Sequence, residues 1–153
     1  MAETTESFHW KILRVGSLQD CLDAWQASPA YKNLNDACRN ASSLAIDELG
    51  SNFLRFSGAN AQAMHLEFTF DGKELVMKFD DDGKPFDPGS ILPPPRGNVA
   101  LLPTGGRGLH MVRQSVDSWK YRLENKRNIS VLKKKREPHP LDEPAVDAEE
   151  PKP

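Results

Sequence analysis

The sequence predicts an α/β (α+β) two-layer sandwich, in which a mixed, mainly antiparallel sheet carries helices on one face. Three observations predict it. Met64, Leu66, Phe68 and Phe70 alternate strictly with His65, Glu67 and Thr69, and a second alternating run, Leu75, Met77 and Phe79, follows after Asp71-Gly72. An Asp-Gly pair between two such runs signals a hairpin. Ahead of them Ala45, Leu49, Phe53 and Phe56 recur at helical spacing, an apolar stripe able to lie on that sheet. Behind them Trp119, Tyr121 and Leu123 alternate with Lys120 and Arg122, and Ile129 and Val131 flank Ser130, giving two closing strands.

The remaining elements follow in chain order. Phe8, Trp10 and Ile12 alternate with His9 and Lys11 and predict a first strand. Ser17 is placed to cap a helix through Leu18, Cys21, Leu22 and Trp25 that ends before Pro29. Asn35, or an earlier polar residue, opens the long helix, which stops at Gly58. Beside its apolar stripe Glu48, Asn52 and Arg55 form a polar line at i, i+4 and i+7. After Gly83 the prolines at 85, 88, 93, 94, 95 and 103 forbid regular structure, and so long an irregular segment predicts a lid or binding loop over residues 84–104. It ends at Thr104-Gly105-Gly106-Arg107-Gly108, after which Leu109, Met111 and Val112 have helical spacing.

At 153 residues the chain is one domain with room for a hydrophobic core, and its net charge of −2 does not argue for nucleic acid as a partner. The charge is uneven. Residues 137–153 hold six acidic residues, one lysine and five prolines, a net of −5, which leaves +3 for the remainder. We expect a folded domain over residues 1–136 and a disordered acidic, proline-rich tail over 137–153. Neither a signal peptide nor an apolar run near 18 residues is present, which predicts a cytoplasmic protein with no membrane partner. Cys21 and Cys38 lack metal or redox spacing and are expected to be reduced and inert. Asn40-Ala41-Ser42 and Asn128-Ile129-Ser130 match the glycosylation pattern, which is empty without secretion.

The stretch of greatest chemical interest is Phe79-Asp80-Asp81-Asp82-Gly83-Lys84-Pro85-Phe86-Asp87-Pro88. Counting by twos from Met77 and Phe79 puts Asp81, but neither Asp80 nor Asp82, on the buried face. A carboxylate aimed into a core is costly unless a donor meets it. Gly83 removes a side chain where the backbone leaves the sheet, so a ligand could come close.

Glu48 and Asn52 on a helix, Asp81 and Gly83 at a strand end, and Gly105 to Gly108 at a helix start, in this order and with a proline-rich lid before the last, resemble the GHKL ATPases. The likeness is greatest to stand-alone anti-sigma-factor serine kinases of bacterial partner-switching systems, and it runs over residues 44–129. Asp81-Asp82-Gly83-Lys84-Pro85-Phe86-Asp87-Pro88 carries it most specifically, followed by Gly105-Gly106-Arg107-Gly108-Leu109. The resemblance implies a Bergerat-type ATP-binding fold that takes ATP with Mg²⁺. It makes Asp81 the acceptor for the adenine amino group, with Gly83 leaving room for the ring, and Asn52 the metal ligand with phosphate oxygens and water. Glu48, one turn earlier, would orient or deprotonate an attacking hydroxyl. The N–H groups of Gly105, Gly106 and Gly108 would cradle phosphates, with Arg107 adding charge. Arg55 would touch phosphate and Ser130 the adenine–carboxylate pair, and Phe86, Thr104 and Leu109 complete the implied nucleotide set. One departure stands out: alanine commonly follows the helix asparagine in that family, where this chain has Phe53.

Other site chemistries fail on spacing. Gly83-Lys84 is followed by proline, not by the Ser or Thr of a phosphate loop, residues 80–91 lack the pattern of a calcium loop, and His9, His65, His110 and His139 are too scattered for zinc. No dimerisation helix with an acceptor histidine precedes the domain, so serine rather than histidine kinase activity is expected. The implied function is a protein-serine kinase that phosphorylates a small antagonist protein and controls a sigma factor, with a homodimer among the assemblies allowed. The alternative is a nucleotide-dependent partner-binding module with little or no phosphoryl transfer.

Overall fold

The computed structural model describes residues 5–90 and 104–136, without the side chains of residues 104–106. The predicted tail and most of the predicted lid therefore lie outside the described residues. Alternation in the sequence becomes strand wherever it was read. The strands are β1 (Glu6–Leu13), β2 (Ala63–Phe70), β3 (Glu74–Asp81), β4 (Ser118–Glu124) and β5 (Arg127–Lys135). They form one five-stranded sheet in the order β1-β2-β3-β5-β4. Every pairing in it is antiparallel, so the parallel contribution that a mixed sheet would need is not found among the described residues. At the β2–β3 hairpin the Asp71 carboxylate accepts from the N–H groups of Lys73 (2.8 Å) and Glu74 (2.9 Å), and Gly72 takes a positive φ of 95°.

The helices are α1 (Leu18–Gln26), α2 (Pro29–Lys32), α3 (Asp36–Phe56) and α4 (Thr104–Ser115). Ser17 caps α1 and Asn35 caps α3, each side-chain oxygen accepting from a first-turn N–H. The one-turn helix α2 was not expected. Pro29 at its first position needs no hydrogen-bond acceptor, and Ser28 caps it. Gly58, just beyond α3, takes φ 99°, the conformation expected of the residue that stops a helix.

The core lies between the inward face of the sheet and α1 and α3. Trp25 is its largest fully buried side chain, edge-on to Phe68 at 4.9 Å and tilted against Phe8 at 5.1 Å. The first half of α3 is poor in large apolar residues, and Trp25 packs there instead, its indole N–H donating to Ser42 Oγ at 2.8 Å. Cys21 and Cys38 are both buried and form no disulfide, and burial pushes the Cys21 thiol up to about 12, which keeps it protonated and unreactive.

One expectation needs correction, and the register decides one face that alternation left open. Phe56 belongs to the predicted stripe, yet it is 62% exposed, because the last turn of α3 overhangs a cavity rather than core. On β5 the register faces Ser130 with Phe79 and Leu132 with Met77, so the polar Asn128 and Ser130 look inward and Val131 does not.

Candidate functional site

Three consecutive aspartates leave β3, and the pleat gives each a different task. Asp80, on the sheet face away from the helices, pairs with Arg127 Nε at 2.6 Å. Asp82 caps the start of β2, accepting from the N–H groups of Gln62 (2.9 Å) and Ala63 (3.2 Å). Asp81 points to the helix side, opposite Met64 on one neighbour and Asn128 on the other. Its Oδ1 accepts from Gly83 N–H (2.8 Å) and from Asn128 Nδ2 (3.1 Å). Its Oδ2 accepts no hydrogen bond among the described residues. Burial raises its pKa above the ordinary aspartate value, with Asp82 adding to the rise and the bonds from Asn128 and Gly83 opposing it.

Asp81 lies at a cavity of about 250 Å³ between the end of α3, β3 and the chain that follows β3. Its walls are mostly apolar, among them Leu49, Phe53, Met64, Phe79 and Phe86, with Asn52 at the α3 side. Ser57 also lines it, and its buried Oγ has no partner among the described residues. An apolar slot with a few convergent polar atoms is the usual form of a small-molecule site.

Glu48 and Asn52 stand one turn apart on α3, both half-buried. Glu48 faces α4: a Cβ added to Gly108 would overlap its carboxylate, so the carboxylate can rest in this position only with glycine there. Desolvation in this contact and the adjacent Asp47 raise the Glu48 pKa, while Arg55 opposes them. The first turn of α4 comprises Thr104, Gly105, Gly106 and Arg107, whose N–H groups precede the run of intrahelical bonds and favour an anion. Farther along α4, Arg113 Nη2 donates to the Pro88 carbonyl at 2.8 Å, tying this helix to the 3-10 turn Pro88–Ser90.

Comparison with protein families places residues 13–134 in a match to the histidine kinase-like ATPase domain. The chain belongs to that family. It is accordingly an ATP-binding domain of the GHKL superfamily, a class that hydrolyses ATP or transfers its phosphoryl group. No individual curated protein matches the chain. No helix among the described residues is long and apolar enough to cross a membrane.

The cavity of this histidine kinase-like ATPase domain suits a purine. It offers an apolar slot, a carboxylate oxygen without a donor, and an unpartnered hydroxyl at Ser57. Among the described residues no three His, Cys, Asp or Glu side chains converge on a metal. Mg²⁺ keeps most of its water and is often held through substrate phosphates and one or two protein oxygens, a demand that Asn52 can meet.

The fold brings Asn52, Asp81, Phe86 and Ser130 to this one cavity. Glu48, Gly108 and the first turn of α4 meet beside it. Several of the implied residues also have contacts of their own within the protein. The missing Cβ of Gly83 makes way for the C-terminal cap of α3: it would fall 2.7 Å from Ser57 Cβ, and Lys84 N–H bonds to Ser57 O at 2.9 Å. Gly108 is the fifth residue of α4, so its N–H is spent inside the helix and its role is to admit Glu48. Arg55 is exposed, with its guanidinium over the Phe56 ring at 5.5 Å. Leu109 is 2% exposed and belongs to the core. Arg107 is exposed on α4. Ser130 Oγ accepts from the Trp119 indole at 3.0 Å and does not bond Asp81.

Asn128 is the residue that sequence reasoning passed over. It sits in what looked like an empty glycosylation pattern, yet its amide bonds Asp81. The available signal was the pairing of β5 with β3, which sets Asn128 opposite Asp81.

Proposed function

We propose that this domain is a protein-serine kinase of the anti-sigma-factor type, which transfers a phosphoryl group from Mg·ATP to a serine of a small antagonist protein. Glu48 carries this reading. It is a carboxylate with a raised pKa, one turn from Asn52 and set against the start of α4. Bound ATP would supply the transferable group, and Asp81 would accept from the adenine amino group. The N–H groups of the first turn of α4 would face phosphate, and Asn52 would help hold Mg²⁺. The Glu48 carboxylate would take the proton of the attacking serine hydroxyl, a task favoured by a pKa nearer neutrality than that of an exposed glutamate. A phosphorylated antagonist would then lose or gain its hold on the sigma-factor complex.

The test is Glu48→Gln with a purified antagonist domain and radiolabelled ATP. We expect ATP affinity close to wild type and transfer slower by about 10²- to 10⁴-fold. Equal and negligible transfer by both proteins, with ATP-dependent partner capture retained, would replace the kinase by a nucleotide-dependent binding module.

A further inference from the structure

The amide of Asn128, 8% exposed, uses all of its hydrogen-bonding capacity. Nδ2 donates to Asp81 Oδ1 (3.1 Å) and to the carbonyls of Lys84 (2.9 Å) and Gly83 (3.3 Å). Oδ1 accepts from Phe86 N–H (3.0 Å) and from the Tyr121 hydroxyl. The orientation of the amide is forced. A carboxylate and two carbonyls can only accept, so they must meet Nδ2, and a backbone N–H can only donate, so it must meet Oδ1. One side chain from β5 thus holds both the carboxylate at the end of β3 and the backbone of residues 83–86 beyond it. That backbone brings Lys84, Pro85 and Phe86 to the cavity wall.

We propose that Asn128 is a positioning residue, coupling the ionised state of Asp81 to the docking of residues 83–86 on the sheet. The inference rests on reading the cavity as a nucleotide site, and it names what sets the carboxylate in that site. Donation from Nδ2 favours the charged form of Asp81, the form that accepts two bonds at one oxygen and still offers the other. Protonation of Asp81 weakens that bond, and the amide that loses it is the one gripping Gly83, Lys84 and Phe86. Conversely, backbone that leaves Asn128 frees the amide to turn, and the carboxylate then stands desolvated without its donor.

The charged and titratable groups around Asp81 are few. Asp82 follows it on the chain and disfavours its charge, and Arg127 on β5 favours it. Tyr121 on β4 reaches it through Asn128, and Lys84 lines the same cavity. From α3 and its C-terminal cap only neutral side chains line the cavity, among them Leu49, Asn52 and Ser57. The donor on Asn128 is therefore the group whose removal moves Asp81 without changing any charge.

The experiment compares wild type with Asn128→Ser, first without nucleotide. Carboxyl NMR should show Asp81 titrating at higher pH in the variant, and hydrogen exchange at the Phe86 amide should speed up. ATP affinity measured by calorimetry at pH 7 should fall about tenfold. Its acid limb should move to higher pH, and most of the loss should disappear in an Asp81→Asn background. Should Asn128→Ser fail to fold, Asn128→Asp keeps the shape and the acceptor but puts a second carboxylate in place of the donor, and with that like charge beside Asp81 the acid limb must move further. Faster Phe86 exchange with an unmoved Asp81 titration would overturn the coupling and leave Asn128 a structural clamp. A wild type that binds no ATP would instead remove the nucleotide reading, while the nucleotide-free measurements still decide the role of Asn128.

Discussion

The two ends of the site are built by different means. At the Asp81 end the parts are two strand residues in fixed register and the chain just beyond β3, joined by directional donors: Asn128 to Asp81, Gly83 to Asp81, and Phe86 to Asn128. At the Glu48 end the parts lie on two helices, and Glu48 accepts no hydrogen bond among the described residues. What places it is packing against a position that has no side chain, Gly108. The first end is held by directional bonds that specify orientation. The second is held by steric fit, which specifies position and leaves the carboxylate without a donor among the described residues. Under the proposed function, recognition needs the former, because a base is read by hydrogen-bond geometry. Proton transfer needs the latter, because a carboxylate already saturated with donors is a weak base.

The comparison can be broken first at the bonded end. Asp81→Asn should lower ATP affinity by about 10- to 150-fold, the worth of one hydrogen bond to a charged group, with circular dichroism unchanged. Asp80→Asn is its control: that carboxylate faces away from the helices and pairs with Arg127, so ATP affinity should hold. Calorimetry on both variants decides the matter, and unchanged binding in Asp81→Asn would remove the base-reading role.

At the packed end, Gly108→Ala should separate fold from chemistry. Alanine favours the helix by up to about 1 kcal/mol over glycine. Its methyl group would nevertheless overlap the Glu48 carboxylate, which is the far end of a flexible side chain and can swing away. We expect an unchanged or higher melting temperature together with transfer slower by about 10²-fold, since small misplacements of a catalytic group cost that much. A melting temperature that drops sharply would mean that Glu48 cannot yield.

Gly83→Ala probes the junction between the ends, with a smaller effect of the opposite kind. The added Cβ would meet Ser57 Cβ at 2.7 Å and Ser57 Cα at 3.0 Å, and backbone cannot swing away. Overpacking of this sort costs about 1–3 kcal/mol, so denaturant unfolding should shift to lower concentration.

The smallest effect is the pH dependence of stability. Asp81 and Glu48 both have folded pKa values above their ordinary ones, so over that window the folded state binds more protons than the unfolded state. Their joint contribution is therefore greatest below the unfolded values, and it is lost as pH rises through the folded ones. Asp71 and Asp82 are lowered by backbone donors and act in the opposite sense, losing stability as pH falls. The difference in melting temperature between wild type and Glu48→Gln isolates one term: the variant should be at least as stable as wild type at pH 7, with its relative advantage gone at acid pH. A wild type that is the more stable at pH 7 would contradict the raised Glu48 pKa. Carboxylates whose charge costs stability are common where that charge is used.

Much of the molecule was legible in the sequence because it depends on near neighbours. Strand alternation, the Ser17 and Asn35 caps, the Asp71-Gly72 turn and the stop at Gly58 all rest on contacts within a few residues. So does the parity that sends Asp81, but not Asp80 or Asp82, toward the helices, since the pleat alternates within a single strand. The polar line of Glu48 and Asn52 was likewise set by the helical repeat alone.

Tertiary structure decided the rest. Within β5, Ile129 and Val131 have as good a claim to the core as Ser130 and Leu132, and a one-residue slip would exchange the two faces. Only pairing with β3 across 47 residues brings Asn128, and not Ser130, to Asp81. The glycines were visible as glycines, but what fills the space at each was not: Ser57 at Gly83, Glu48 at Gly108. Phe56 kept its place in the helical repeat and lost its burial, because periodicity states which way a side chain points and not whether protein stands opposite it. Local patterning reports what a residue does to its own segment. The identity of the atom it meets belongs to the packing of segments far apart in the chain.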